Sequence, residues 1–154
     1  MEIERKFLVD KERWLQAGDA VRTIPIRQGY IARTSSCSVR IRIADADAYL
    51  TIKGSTTGLS REEFEYQVPV ADAVEMLSMS LTPIIQKERH IMGSGPHPWE
   101  VDVFQGDNEG LILAEKELDS EDEVFELPGW VTVEVTGDKR YYNLALAINP
   151  IKNW

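Results

Sequence analysis

Apolar and polar residues alternate with a period of two along most of this chain. The alternation predicts strands at Ile3–Val9, Ile26–Arg33, Ser38–Ile43, Ala48–Lys53, Arg61–Val68, Ile85–Ile91, Glu100–Gln105, Leu111–Leu118 and Val131–Val135. Clusters of Gly, Ser, Thr, Pro and Asp separate several of them, as in GSTTGLS, MGSGPHP and GDNEG. Connections this short favour antiparallel neighbours over helical crossovers. Helical pieces are few. Lys11–Ala17 reads as a short helix ended by Gly18, and Asp72 with Glu75 as a capping arrangement ahead of Val74, Met76, Leu77 and Leu81. Ser120 with Glu123 makes an S-x-x-E box expected to open a short helix that Pro128 and Gly129 stop. Asp138 is expected to cap a last turn or two through Tyr141, Leu144 and Leu146. The expected fold class is mainly β (α+β), an antiparallel sheet closed or nearly closed on itself, with a few short helices.

The polar rows are not ordinary. Glu2, Glu4 and Lys6 share one face of the first strand, and the same spacing recurs in Arg40/Arg42, Glu63/Glu65, Lys87/Arg89, Glu100/Asp102 and Glu115/Glu117. Lys53 adds a single cation, on the face it shares with Thr51. Each pair carries one sign. A solvated sheet face has no reason to segregate signs, because cross-strand pairing favours opposite charges over like ones. Paired carboxylates hold hard cations, and paired Arg and Lys hold phosphate oxygens. A barrel with the charged row inside and the apolar row outside accommodates both faces, and one of about eight strands encloses one small ligand.

Charge bounds that ligand. The chain of 154 residues has a net charge of −9, which disfavours binding to nucleic acid or to an anionic membrane surface. The inward rows offer Lys6, Arg40, Arg42, Lys53, Lys87, Arg89 and Arg140 against Glu2, Glu4, Glu63, Glu65, Glu100, Asp102, Glu115 and Glu117. Seven cations against eight carboxylates leave the lumen at −1 and the rest of the chain at −8. One or two divalent cations turn such a lumen positive and suited to a phosphate chain. Two histidines and the single Cys37 are too few for a typical zinc site, so an oxygen-held Mg²⁺ or Mn²⁺ is expected. Cys37 permits no intrachain disulfide, no apolar run reaches membrane-spanning length, and Met1 leads directly into charged residues. A cytoplasmic protein with a single domain over 1–154 is therefore expected.

Taken together, these stretches resemble a family. EIERKFLV matches the E-x-E-x-K signature of the CYTH superfamily, the triphosphate tunnel metalloenzymes. RQGY, VRIR, LTIKG, SREEFEY, KERH, WEVDVF, AEKEL and DKRYYN follow in the family's order over nearly the whole chain. The compact length resembles the short bacterial inorganic triphosphatases. One position departs from the pattern: Lys116 stands where an apolar residue is usual, on the side of its strand that should face away from the lumen.

The resemblance implies an eight-stranded tunnel, a divalent metal and a small-molecule triphosphate or polyphosphate substrate. It implies metal ligands in Glu2, Glu4, Glu115 and Glu117, with Glu63, Glu65 and Asp102 as further carboxylates for a second metal or for water. It implies phosphate clamps in Lys6, Arg40, Arg42, Lys53, Lys87, Arg89 and Arg140, with Tyr30 projecting into the tunnel. The expected reaction is metal-dependent hydrolysis of inorganic tripolyphosphate. The alternatives are an organic-triphosphate enzyme of the same superfamily (thiamine triphosphatase, nucleoside triphosphatase or class IV adenylate cyclase) and a non-catalytic polyphosphate-binding module. Trp14, Trp99, Trp130 and Trp154 on the outside call for cover, which a homodimer would supply.

Overall fold

A computed structural model describes residues 1–154. Ten antiparallel strands form one sheet: β1 (Glu2–Val9), β2 (Arg22–Arg33), β3 (Cys37–Ala44), β4 (Asp47–Gly54), β5 (Ser60–Arg61), β6 (Glu63–Val68), β7 (Ile85–Met92), β8 (Trp99–Phe104), β9 (Ile112–Glu117) and β10 (Val131–Glu134). The hydrogen-bonded order is β10-β1-β9-β8-β7-β2-β3-β4-β6, and β5 returns to β1 through Glu2↔Arg61 and Ile3↔Ser60. Counted as one stave, β5 and β6 close eight strands into a barrel, while β10 adds a ladder along the far half of β1.

The stave expected at Arg61–Val68 is broken at Glu62, because it changes partner there. β6 pairs with β4, β5 pairs with β1, and the Glu62 carbonyl between them accepts from Gly54 N at 2.9 Å. Glu121 holds the short β5 in place, its Oε1 accepting from Leu59 N at 3.2 Å and Ser60 Oγ at 3.1 Å. β2 begins earlier than expected, at Arg22, and runs through Pro25. The Pro25 carbonyl points toward Asp45 N, at 3.0 Å, so its ring nitrogen faces the side where β3 has turned away. No ladder bond is lost.

Three short helices complete the fold. Asp10 caps α1 (Lys11–Gln16), accepting from Arg13 N at 2.9 Å, and the helix lays Trp14 on Val101, Ile112, Ala114 and Trp130. α2 (Val70–Leu77) packs Ala73 and Leu77 on the outward Ile41, Ile43 and Ala48. It starts at Val70, directly after Pro69, so Asp72 is a first-turn acid rather than a cap. The box at Ser120 opens no helix. Glu123 Oε1 accepts from Asp119 N at 2.8 Å in a turn, and the extended segment beyond it brings Phe125 against Trp99. Trp14, Trp99 and Trp130 are thereby covered within the chain, leaving Trp154 half exposed.

One end of the barrel is filled. The inward rows that begin charged turn apolar along the axis: Glu117 and Glu115 give way to Leu113, Glu100 and Asp102 to Phe104, and Arg89 and Lys87 to Ile85. α3 (Asn143–Ile148), preceded by a single turn at Lys139–Tyr141 that Asp138 caps, seats Leu146 and Ala147 on that apolar ring. Asn108 ties it down, donating to the Leu146 carbonyl at 3.2 Å and accepting from Ile151 N at 3.0 Å. The lumen is therefore a pit with an apolar foundation. Leu146 has no solvent exposure, so Leu146→Ala should lower stability by about 2–5 kcal/mol in urea unfolding; a loss within error of zero would show that α3 does not hold this end.

Candidate active site

The pit has a volume of about 480 Å³. Twelve of the residues expected in a site line it: Glu2, Glu4, Lys6, Tyr30, Arg40, Arg42, Lys53, Glu63, Glu65, Arg89, Glu115 and Glu117, as does Glu100. Strand parity explains this, since side chains two apart point to one side and these staves all turn that side inward. Three expected residues lie elsewhere. Lys87 and Asp102 sit beneath the wall, fully buried, with Lys87 Nζ donating to Asp102 Oδ2 at 2.6 Å. Arg140 is on the exterior, paired with Asp138 at 2.8 Å and stacked on Tyr141 and Trp154. Lys116 faces away from the pit and donates to the His97 carbonyl.

Several lining residues went unread in the sequence. Arg61 has the parity of Glu63 and Glu65, and its Nε lies 3.5 Å from Glu2 at the barrel's closure. Ser38 has the parity of Arg40 and was legible on the same ground. Beneath the wall, the buried Gln28 shares the parity of Tyr30. Thr136, Tyr142 and Asn143 come from the β10–α3 segment, which has no alternation to reveal them. The Tyr142 ring lies 5.4 Å from Lys6 Nζ and 5.9 Å from the Arg61 guanidinium, within cation–π range.

Most lumen charges are paired with one another. Lys53 reaches Glu2 at 3.1 Å and Glu63 at 3.7 Å, and Lys6 reaches Glu115 at 3.6 Å. Arg89 spans Glu100 at 2.7 Å, Asp102 at 2.8 Å and Glu115 at 3.9 Å. Burial opposes ionisation of Asp102, but Arg89 and Lys87 outweigh it and hold the carboxyl far below its ordinary range. Burial likewise opposes Glu115, which Lys6 and Arg89 hold at about 2. In Lys6 burial is outweighed by Glu115 and Glu4, and its pKa rises.

The exceptions define what the pit lacks. Arg42 makes one hydrogen bond, from Nε to Gln28 Oε1 at 2.7 Å, and has no carboxylate within ion-pair distance. Burial, with Arg40 and Arg89 nearby, pushes its pKa down to about 9. Arg40, also buried, donates to Thr51 Oγ1 at 3.3 Å and meets Glu65 only at 4.0 Å, and its Nε has no hydrogen-bond partner. On the acidic side, Glu4 forms no ion pair or side-chain hydrogen bond, and burial with Glu115 and Glu2 pushes it up to about 7. Glu63 is also raised to about 7, by burial and by the hydrogen bond it shares with Glu2. The pit thus holds a guanidinium, Arg42, short of an anion and a carboxylate, Glu4, short of a cation.

The donor set suits a hard cation: it is all oxygen, crowded by like charge, and includes the unpartnered Glu4. No three acidic groups converge as a ready-made cage, because Glu2 and Glu115 are engaged by Lys53, Arg61, Lys6 and Arg89.

The class is that of an antiparallel barrel with paired carboxylates and paired cations turned into its lumen. The chain belongs to the CYTH domain family, whose pattern matches residues 1–142. It is 45% identical over 158 residues to an inorganic triphosphatase of Acetivibrio thermocellus, covering 99% of this chain and 97% of that protein. It is 39% identical over 155 residues to an inorganic triphosphatase of Nitrosomonas europaea, covering 96% and 97%. A crystal structure of an inorganic triphosphatase is similar at TM-score 0.65 and 35% identity, covering 96% of this chain and 95% of that one. No helix here is long and apolar enough to cross a membrane.

The raised Glu4 fixes a pH dependence. Its folded pKa of about 7 exceeds the ordinary 4.5, so in that window the folded protein keeps a proton that the unfolded chain has released. Stability from this group is complete below the unfolded value and is lost as pH rises through the folded one. In EDTA, the melting temperature should fall between about pH 5 and about pH 8, and Glu4→Gln should flatten that fall. An unchanged slope in the variant would contradict the assignment.

Proposed function

We propose that this protein hydrolyses inorganic tripolyphosphate at the bottom of its barrel, with a divalent cation, in the cytoplasm. The observation that carries the reading is that one pit holds Arg42, with no carboxylate in ion-pair distance, and Glu4, with no ion pair of its own. A phosphate chain answers the first need and a divalent cation the second. The inorganic triphosphatases among the relatives support the same substrate class.

Lys6, Arg40, Arg42, Lys53, Arg61 and Arg89 hold the chain's non-bridging oxygens and fix its orientation. As they engage phosphate they release Glu2 and Glu115, which with Glu4 would hold Mg²⁺ or Mn²⁺; Glu65 and Glu117 lie nearer the solvent. Such an ion, when bound, neutralises phosphate charge and lowers the pKa of water. Water attacks the terminal phosphorus, the bond to the bridging oxygen breaks, and pyrophosphate leaves. Glu63, left free of the cation, accepts the proton from water. Lys87 and Asp102 act from beneath, Asp102 steering Arg89 through bonds of 2.8 and 2.9 Å.

The lining favours an inorganic chain over an organic triphosphate. Only Tyr30, Leu59, Tyr142 and Leu144 offer apolar surface among 23 lining residues, little for a base or a thiazole to rest on. The test is phosphate release from tripolyphosphate, ATP and thiamine triphosphate side by side, with Mg²⁺, with Mn²⁺ and in EDTA. Tripolyphosphate should lead in kcat/KM by at least about tenfold, a difference of ~1.4 kcal/mol in transition-state binding, and EDTA should abolish turnover. A tenfold preference for an organic triphosphate would overturn the reading; tight binding without turnover would leave a binding module.

A further inference from the structure

Asn143 stands at the floor of the pit, and its carboxamide joins the two cationic walls. Its Oδ1 accepts from Gln28 Nε2 at 3.0 Å and from Lys87 Nζ at 3.0 Å. Gln28 Oε1 accepts in turn from Arg42 Nε at 2.7 Å. Lys87 also donates to Asp102, which takes two bonds from Arg89. A single run of hydrogen bonds therefore passes from Arg42 through Gln28, Asn143, Lys87 and Asp102 to Arg89, under the lumen and across four strands and a helix.

The polarity of this run is fixed from one end. A guanidinium only donates, so Gln28 must turn its oxygen to Arg42 and its nitrogen to Asn143. Asn143 must then present Oδ1, which Lys87 shares. Its NH₂ is left over. Nδ2 donates to no group of the protein, while the residue lines the pit. The floor thus carries a neutral hydrogen-bond donor beside a guanidinium that has no carboxylate.

We propose that Asn143 reads the terminal phosphoryl group of a linear phosphate chain, making the pit selective for a chain end. This rests on the phosphate-chain reading above. A terminal phosphoryl has three non-bridging oxygens, all acceptors, whereas an internal one has two and is tethered on both sides. Because α3 and its apolar seat block the way beyond, a chain can enter the floor only by its end. Arg42 takes one terminal oxygen and Asn143 Nδ2 another, and their common tie through Gln28 sets the spacing between the two donors.

Direct binding tests this without turnover. The ligands are linear imidotriphosphate, whose P–N–P bridges resist hydrolysis, and trimetaphosphate, a ring of three phosphoryl groups with no end. Calorimetry with Mg²⁺ should show the linear compound bound at least tenfold more tightly by the unaltered protein. Asn143→Asp keeps an oxygen for Gln28 and Lys87 but replaces the free donor by an acceptor. It should weaken the linear ligand at least tenfold and leave the ring within threefold, erasing the discrimination. Equal affinity of the unaltered protein for line and ring overturns the proposal, whether or not the variant folds. So does an Asn143→Asp protein that retains the discrimination. Failure of the unaltered protein to bind either compound overturns the phosphate-chain reading itself, and this inference with it.

Discussion

The structure depends on one constraint: charges buried in a narrow barrel must be neutralised by a partner, because burial penalises the charged form of every one of them. The lumen meets it by interleaving. Lys53 lies between Glu2 and Glu63, Lys6 answers Glu115, and Arg89 binds three carboxylates together. These pairs let a chain of modest size keep some thirteen ionisable groups around one cavity. Each stave reaches that cavity by parity alone, and α1, α2 and the loop carrying Phe125 cover much of the apolar opposite row, leaving Phe64 and Tyr66 of β6 exposed.

Neutralisation is deliberately incomplete in a way that suggests exchange. Arg42 has no carboxylate within ion-pair distance, while Glu4, pressed by Glu115 and Glu2, has no cation of its own. On the proposed function, a phosphate chain and a divalent cation entering together would satisfy both, the lysines and arginines passing from carboxylate to phosphate. The staves have already taken the protein's charged groups out of water, so only the entering ions have hydration left to shed. The pit's blind end matters for the same reason. An apolar ring around Leu113, Phe104 and Ile85, stoppered by α3, excludes water from the floor and gives the charged layer a fixed base.

Period-two alternation made nearly all of this legible. The nine strands fell close to their expected bounds because an inward charged row and an outward apolar row leave no other secondary structure for such a sequence. The same parity pointed to Glu2, Glu4, Lys6, Arg40, Arg42 and Glu115, and it would have pointed to Arg61 had that residue been read with Glu63. What it could not reach was chemistry supplied by segments without a period. Asn143 and Tyr142 enter from a loop and a six-residue helix, placed only by tertiary packing of Leu146 and Ala147. Arg140 looked like a clamp by its setting in DKRY, but its local pair with Asp138 turns it outward. The box at Ser120 failed for a related reason: Glu121 is committed to the turn before β5, and the segment is drawn out over Phe7 and Trp99. The charged rows' change to apolar at Leu113, Phe104 and Ile85 was in the sequence all along, and it marks the floor.

The central claim is that cation and polyanion relieve each other's unmet charges in one lumen, so their binding must be coupled and reciprocal. The direct measurement is the affinity for a non-hydrolysable linear triphosphate analogue across a Mg²⁺ titration, repeated with Glu4→Gln. The account predicts that saturating Mg²⁺ tightens the analogue at least tenfold, about 1.4 kcal/mol of coupling, and that the substitution removes most of that gain. An affinity indifferent to Mg²⁺ in the unaltered protein would contradict it.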